Sequence, residues 1–214
     1  MNMGCYLVFE GVVGTGKTTQ SKRLADTLRQ KFPDREVIWT REPGGSEIAE
    51  AIRVLVQGTP FNEAMDPICE AYLYASARAQ SLRAVVAPVL AKGGIVVADR
   101  SFCTSIAWQG FGRGLGLETV LEINKTAVKD ILPDLIIEMD LDPEIGLKRT
   151  FDARGDKFET MPIEFFRTCV AGYRALSNHE LLQARWKRID GQGTPEEVFN
   201  RVLETTLAEL SLNS

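Results

Sequence analysis

The feature that most constrains this chain is an apolar run, Tyr6-Leu7-Val8-Phe9, that leads through Glu10 into Gly11-Val12-Val13-Gly14-Thr15-Gly16-Lys17-Thr18 and then into a stretch with helical spacing. That run satisfies G-x-x-x-x-G-K-[ST] in the strand-to-helix context the motif needs. Its glycines let backbone N–H groups turn inward around a phosphate chain, and the helix start beyond adds partial positive charge. In this reading Lys17 bridges the β- and γ-phosphates of a nucleoside triphosphate, the Thr18 hydroxyl holds Mg²⁺, and Thr19 completes the cradle. A chance match has odds of roughly one in a hundred at average composition. Taken alone, such a loop fits kinases, GTPases, motor ATPases and regulatory modules alike.

The rest of the pattern names the fold class. Runs rich in β-branched and aromatic residues at 6–10, 36–40, 95–98, 135–140 and 186–190 predict strands. Stretches at helical spacing predict helices over 17–31, 46–57, 67–92, 117–130, 143–151, 162–184 and 195–211. Strands alternating with helices mean an α/β fold with a parallel sheet covered on both faces. Asp66 before Pro67, and Thr194 before Pro195-Glu196-Glu197, read as helix starts, and Gly93-Gly94 as a helix stop. With 214 residues and no linker, residues 1–214 read as one domain, while Gly110 to Gly116 and residues 152–161 read as mobile loops over a site.

Composition excludes whole classes of partner. Against 29 acidic side chains stand 25 basic ones, a net charge of −4, so no overall positive field holds a nucleic-acid polymer or an anionic membrane. Cys5, Cys69, Cys103 and Cys169 are scattered without metal-ligand spacing, and His179 is the single histidine. They read as reduced, mostly buried side chains. No secretory leader or membrane-length apolar run is present, so cytoplasmic residence is the expectation.

Among proteins with this loop, a GTPase switch is disfavoured, because the third strand ends in Asp99-Arg100-Ser101-Phe102 rather than D-x-x-G. Asn124-Lys125-Thr126-Ala127 lacks the acid that reads guanine and is expected on an exposed helix surface. What remains is a set of cations near the strand ends: Arg41, Arg53, Arg78 and Arg100. Loops at the carboxyl ends of strands form the ligand site of an open α/β sheet, so these arginines suggest a second phosphate group. The helix 67–92 also sets Glu70, Tyr74 and Arg78 on one face, with Ala71 and Ala75 leaving room for a flat ligand.

Read in order, FEGVVGTGKTTQ at 9–20, TREPGG at 40–45, AIR at 51–53, YASARAQ at 74–80, DRSFCTSIAWQG at 99–110, GLKR at 146–149 and ARGDKFE at 153–159 resemble the bacterial thymidylate kinases. The resemblance spans nearly the whole chain. It implies a five-stranded parallel sheet of order 2-3-1-4-5, ATP and Mg²⁺ as cofactors, dTMP as acceptor and a homodimer. It further implies that Arg78 contacts the base and Arg100 its phosphate, that Tyr74 stacks on thymine, and that Arg41 and Arg53 surround the acceptor phosphate. Ser105 faces the base, Trp108-Gln109 stand where the family has Tyr-Gln, and Asp99 lies near the metal. Because Thr15 occupies the loop position that carries a catalytic arginine in some relatives, the resemblance assigns that charge to a lid at about 149–161. Arg154 is its first candidate and Arg149 stands behind it. Val13 departs from the usual acid, so a contact to the acceptor sugar is expected to be lost. Two rivals remain, a deoxynucleoside kinase and a non-catalytic nucleotide-binding relative.

Overall fold

Side chains along strand β1 (Cys5–Glu10) point alternately to opposite faces, and every one of them is buried, so this strand builds both halves of the core. Cys5, Leu7 and Phe9 join one apolar cluster, Tyr6 and Val8 the other. The computed structural model describes residues 3–58, 62–150 and 161–212. After β1 come α1 (Lys17–Lys31), β2 (Val37–Arg41), α2 (Glu47–Gln57), α3 (Pro67–Ser81), α4 (Ala87–Ala91) and β3 (Ile95–Asp99). The chain continues through α5 (Phe102–Ser105), α6 (Leu117–Val128), β4 (Leu135–Asp140), α7 (Pro143–Thr150), α8 (Ile163–Ser177), β5 (Trp186–Asp190) and α9 (Pro195–Leu212).

The sheet is parallel throughout, in the order β2-β3-β1-β4-β5 that the resemblance implies. Leu24 and Leu28 of α1 and Phe199 and Val202 of α9 cover one face. Tyr74 of α3, Val120 of α6 and Phe166 and Tyr173 of α8 cover the other. Register decides where the site lies: Asp99 pairs with Arg41 on one side and Phe9 on the other, so the carboxyl ends of β1, β2 and β3 open at one edge. That edge is where open α/β sheets bind ligands.

The helix starts carry the expected chemistry. Asp66 accepts from the amides of Ile68 at 2.8 Å and Cys69 at 3.3 Å, and Thr194 and Glu197 bond each other's backbone N–H in a reciprocal box. Gly93, at φ 76, ends the helical run before β3.

Three expectations are corrected. The helix 67–92 is not continuous α-helix: α3 passes through a π turn, Leu82–Val86, before α4. Pro88 has no N–H to offer the turn before it, and the wider turn absorbs that loss. Residues 110–116 are not simply a loop, since α5 runs on into a π segment, Ile106–Gly112, whose spacing differs from the 3.6-residue period that marks a helix in sequence. The helix expected over 162–184 stops at Ser177, where the Asn178 side chain donates to Arg174 O at 2.9 Å, and only a short 3₁₀ turn, Gln183–Arg185, follows. Most of the expected lid, with Arg154, lies outside the described residues.

Candidate active site

The phosphate loop depends on glycine at its tip, where Gly14 has φ 68 and Gly16 φ 85, both in the left-handed region. Gly14 also lies directly against Gly146 of α7, so close that a Cβ on either would strike backbone of the other segment. The helix that leads toward residues 151–160 is therefore seated on the loop itself. Lys17 is buried, and its ammonium group donates to Val12 O and to Thr15 Oγ1 at 3.1 Å. Burial, reinforced by the Arg100 charge, pulls its pKa from 10.5 down to about 7. Thr18 Oγ1 donates to Asp99 Oδ2, while Asp99 Oδ1 is buried with no hydrogen-bond partner among the described residues. A hydroxyl beside a carboxylate with an oxygen to spare suits a hard, oxygen-liganded cation such as Mg²⁺.

Arg100 sits immediately past β3 at φ 79, a left-handed conformation that costs a non-glycine residue about 1–2 kcal/mol. The surroundings over-determine it. Its amide donates to Phe9 O at 2.9 Å, its guanidinium to Gly11 O at 3.2 Å, and its Cζ lies 4.9 Å from the Trp108 ring centroid. Next to it, the buried Glu10 carboxylate accepts from Ser101 N–H at 2.8 Å, Ser101 Oγ at 2.6 Å, Thr104 Oγ1 at 2.6 Å and Tyr173 OH at 3.2 Å. Burial pushes the Glu10 carboxyl up, and the Ser101 and Thr104 hydroxyls oppose that shift.

Arg78, buried on α3, spends its guanidinium on protein partners: Glu42 Oε2 at 2.6 Å, Asn124 Oδ1, Ser101 O at 3.2 Å and Ser105 Oγ at 3.1 Å. It forms one side of a narrow slot whose other walls include Tyr74, Trp108, Gln109 and Pro43. Trp108 is held upright by edge contacts to Phe165 and Phe166, and its indole N–H donates to Tyr173 OH at 3.3 Å. Beside the slot lies a cleft of about 520 Å³ lined by Val13, Gly14, Gly16, Lys17, Thr18 and Thr19 together with Arg41, Arg53, Asp99 and Arg149. Slot and cleft share Glu42, Gln57, Arg100 and Trp108.

The sequence-predicted residues are thus largely brought together, with some displaced from where they were expected. Gly11 and Val12 form the buried shoulder of the loop, each giving a carbonyl to a cation. Arg41 is paired with Glu50 at 3.0 Å and Arg53 donates to Pro43 O at 2.9 Å, both within the cleft wall. Arg149 reaches Gly191 O at 3.5 Å. Ser105 stands behind Arg78 rather than on the slot surface. Asn124, expected on an exposed helix face, is buried and accepts from Arg78, because Val120, Asn124, Ala127 and Val128 form the inward stripe of α6. Sequence reasoning assigned no role to Glu10, Glu42, Gln57 or Thr104. The signal for Glu10 and Glu42 was their place at strand ends inside FEG and TREPGG, where an ionised side chain beside a phosphate loop calls for a cationic or hydroxyl partner.

A family model described as thymidylate kinase matches residues 9–202. The chain belongs to the thymidylate kinase family. A thymidylate kinase of Geotalea uraniireducens is 40% identical over 216 residues, covering 98% of this chain and 99% of its own length. One from Geobacillus thermodenitrificans is 40% identical over 210 residues, 97% of this chain and 91% of that protein. Among solved structures, thymidylate kinase from Ehrlichia chaffeensis superposes with a TM-score of 0.76 at 25% identity, over 95% of this chain and 99% of that one. Membership in the thymidylate kinase family matches the sheet order and the phosphate loop at its carboxyl edge.

Proposed function

We propose that this chain transfers the γ-phosphoryl group of ATP to dTMP, giving dTDP and ADP. The observation that supports the reading is the joining of slot and cleft through Arg100, so that one cation lines both the slot and the phosphate-loop cleft. An acceptor phosphate is already nucleophilic, so its oxygen attacks the γ-phosphorus in line and no covalent enzyme intermediate is required. Lys17 and Arg100 meet the charge on the transferring group, Arg41 and Arg53 hold the acceptor phosphate, and Tyr74 and Trp108 flank the base. Gln109 turns an amide toward it. Thr18 and Asp99 would hold Mg²⁺, which when bound supplies positive charge to the phosphate oxygens. Arg154, assisted by Arg149, completes the charge from a lid at about 149–161 within a single domain.

The direct test is ADP release measured with dTMP, dUMP, CMP, AMP and thymidine as acceptors. dTMP is expected to be used best. Preference for thymidine, which has no phosphate for Arg41, Arg53 and Arg100, would replace this reading with a nucleoside kinase.

Lys17 makes nucleotide binding proton-linked. With its pKa near 7 in the nucleotide-free protein and restored upward by bound phosphates, binding takes up a proton at pH above 7 and weakens as pH rises. The same shift lets the nucleotide-free fold gain stability from pH 7 toward 10.5, because the unfolded chain then holds the extra proton. Calorimetry of ADP binding at pH 8.5 in buffers of different ionisation heat should show close to one proton taken up, and Lys17→Met should abolish it. Buffer-independent heat would count against the assignment.

The active unit we propose is a homodimer working in the cytoplasm; among the described residues no helix is long and apolar enough to cross a membrane. Ile48, Val54 and Leu55 of α2 and Ile68 and Tyr72 of α3 leave large apolar side chains exposed, a surface suited to a second copy. Sedimentation should give about twice 23.7 kDa at micromolar concentration; a lone monomer would reject it.

A further inference from the structure

Gln109 is 2% exposed, and its amide nitrogen donates to Glu70 Oε1 at 2.9 Å. A carboxylate can only accept, so Glu70 dictates which end of that amide faces it. The other end, Gln109 Oε1, is buried with no partner among the described residues. Glu70 lies on α3 one turn before Tyr74 and is 1% exposed. Its charge is met by Arg113, whose Nε lies at 3.3 Å and Nη2 at 3.1 Å, just beyond the π segment that carries Gln109. Neither Glu70 nor Arg113 lines the slot, whereas Gln109 does. An ion pair placed behind an amide, leaving that amide's oxygen unsatisfied, is costly for a fold that gains nothing from it.

We propose that the Glu70–Arg113 pair is a positioning device that locks Gln109 as a hydrogen-bond acceptor toward the nucleobase and so sets base specificity. The proposal rests on the phosphoryl-transfer reading above. A locked acceptor favours a pyrimidine whose ring nitrogen carries a hydrogen between two carbonyls. It disfavours a 4-aminopyrimidine, whose ring nitrogen is itself an acceptor and meets the Gln109 oxygen lone pair to lone pair. Turning the amide over would reverse that preference, because its NH₂ end would then face the ring nitrogen.

Glu70→Gln replaces the carboxylate by a group that both donates and accepts, which frees Gln109 to turn over. The ratio of kcat/KM for dTMP to that for dCMP is expected to fall by ~10-fold or more, with dCMP use unchanged or raised. Should that single variant fail to fold, Glu70→Leu with Arg113→Leu removes both charges together and leaves neither buried alone. The double variant is expected to lower the same ratio. Equal losses for dTMP and dCMP, or an unchanged ratio in a folded variant, would overturn the proposal by showing that the pair only supports the fold. A wild-type protein inactive on dTMP would instead refute the phosphoryl-transfer reading, a distinguishable result.

Discussion

Arg154→Ala is expected to lower kcat by ~10³-fold or more while changing KM for ATP little, since a charge that engages mainly in the transition state affects turnover more than binding. Negative charge on the transferring group must be met, and the loop position that carries an arginine in some relatives is Thr15. Thr15 is 2% exposed and its hydroxyl turns away to Val12 O at 3.2 Å. Lys17 and Arg100 line the cleft from the loop and from the end of β3. Arg149 lines the cleft from the end of α7, but it is exposed, and among the described residues its guanidinium reaches Gly191 O at 3.5 Å. Arg154, five residues further along and outside the described residues, is the first candidate that the family resemblance puts forward. Steady-state kinetics of Arg154→Ala and Arg149→Ala separate the cases. If Arg149→Ala loses turnover and Arg154→Ala keeps it, the lid stands and the residue changes. If both keep it, the transition-state charge comes from elsewhere.

Strands were legible because β1, β3 and β4 are buried on both faces and therefore read as unbroken apolar runs, the form that parallel strands take, whereas their order in the sheet came from the family resemblance alone. Helices were legible where one stripe faces the core, as in α1 against the sheet and α6 against α3. They were misjudged where the period leaves 3.6: the Pro88 turn interrupts one helix, and the π segment over Ile106–Gly112 hid another inside what looked like a glycine-rich loop. That second lapse matters more, because this segment carries Trp108 and Gln109 into the slot.

The site divides along a similar line. Groups that line the cleft are announced by motif and by their place at strand ends, as with Lys17, Thr18, Asp99 and Arg100. Groups that hold those groups are not. Asn124 looked like a solvated helix residue because a single polar side chain on an apolar stripe is ambiguous in sequence; only the packing of α6 against α3 places it on Arg78. Glu10, Glu42 and Glu70 are acids in the interior, and nothing in composition distinguishes a buried acid from a surface one until its partner is known.

Arg78→Met should be the most destabilising single substitution in the acceptor half of the site. Arg78 and Glu42 are 2% and 5% exposed and lie 2.6 Å apart, so removing the cation leaves a carboxylate in the interior with its strongest partner gone. Losing one partner of a buried pair costs about 3–5 kcal/mol, which for a chain of this size lowers Tm by about 6–20 °C. The sign of the pH dependence follows from Glu42. Burial already pushes its carboxyl up and Arg78 pulls it back, so without Arg78 the folded protein retains a proton that the unfolded chain releases. The stability lost should therefore be smallest near pH 5 and grow as pH rises toward 8. Glu42→Gln in the Arg78→Met background removes the stranded charge and should recover much of the loss, while dTMP use stays low because the slot still lacks its guanidinium. Thermal melts of the two single variants and the double variant form a closed cycle. A double variant as unstable as the sum of the singles would show that Arg78 stabilises the fold through Asn124 and Ser105 rather than through Glu42.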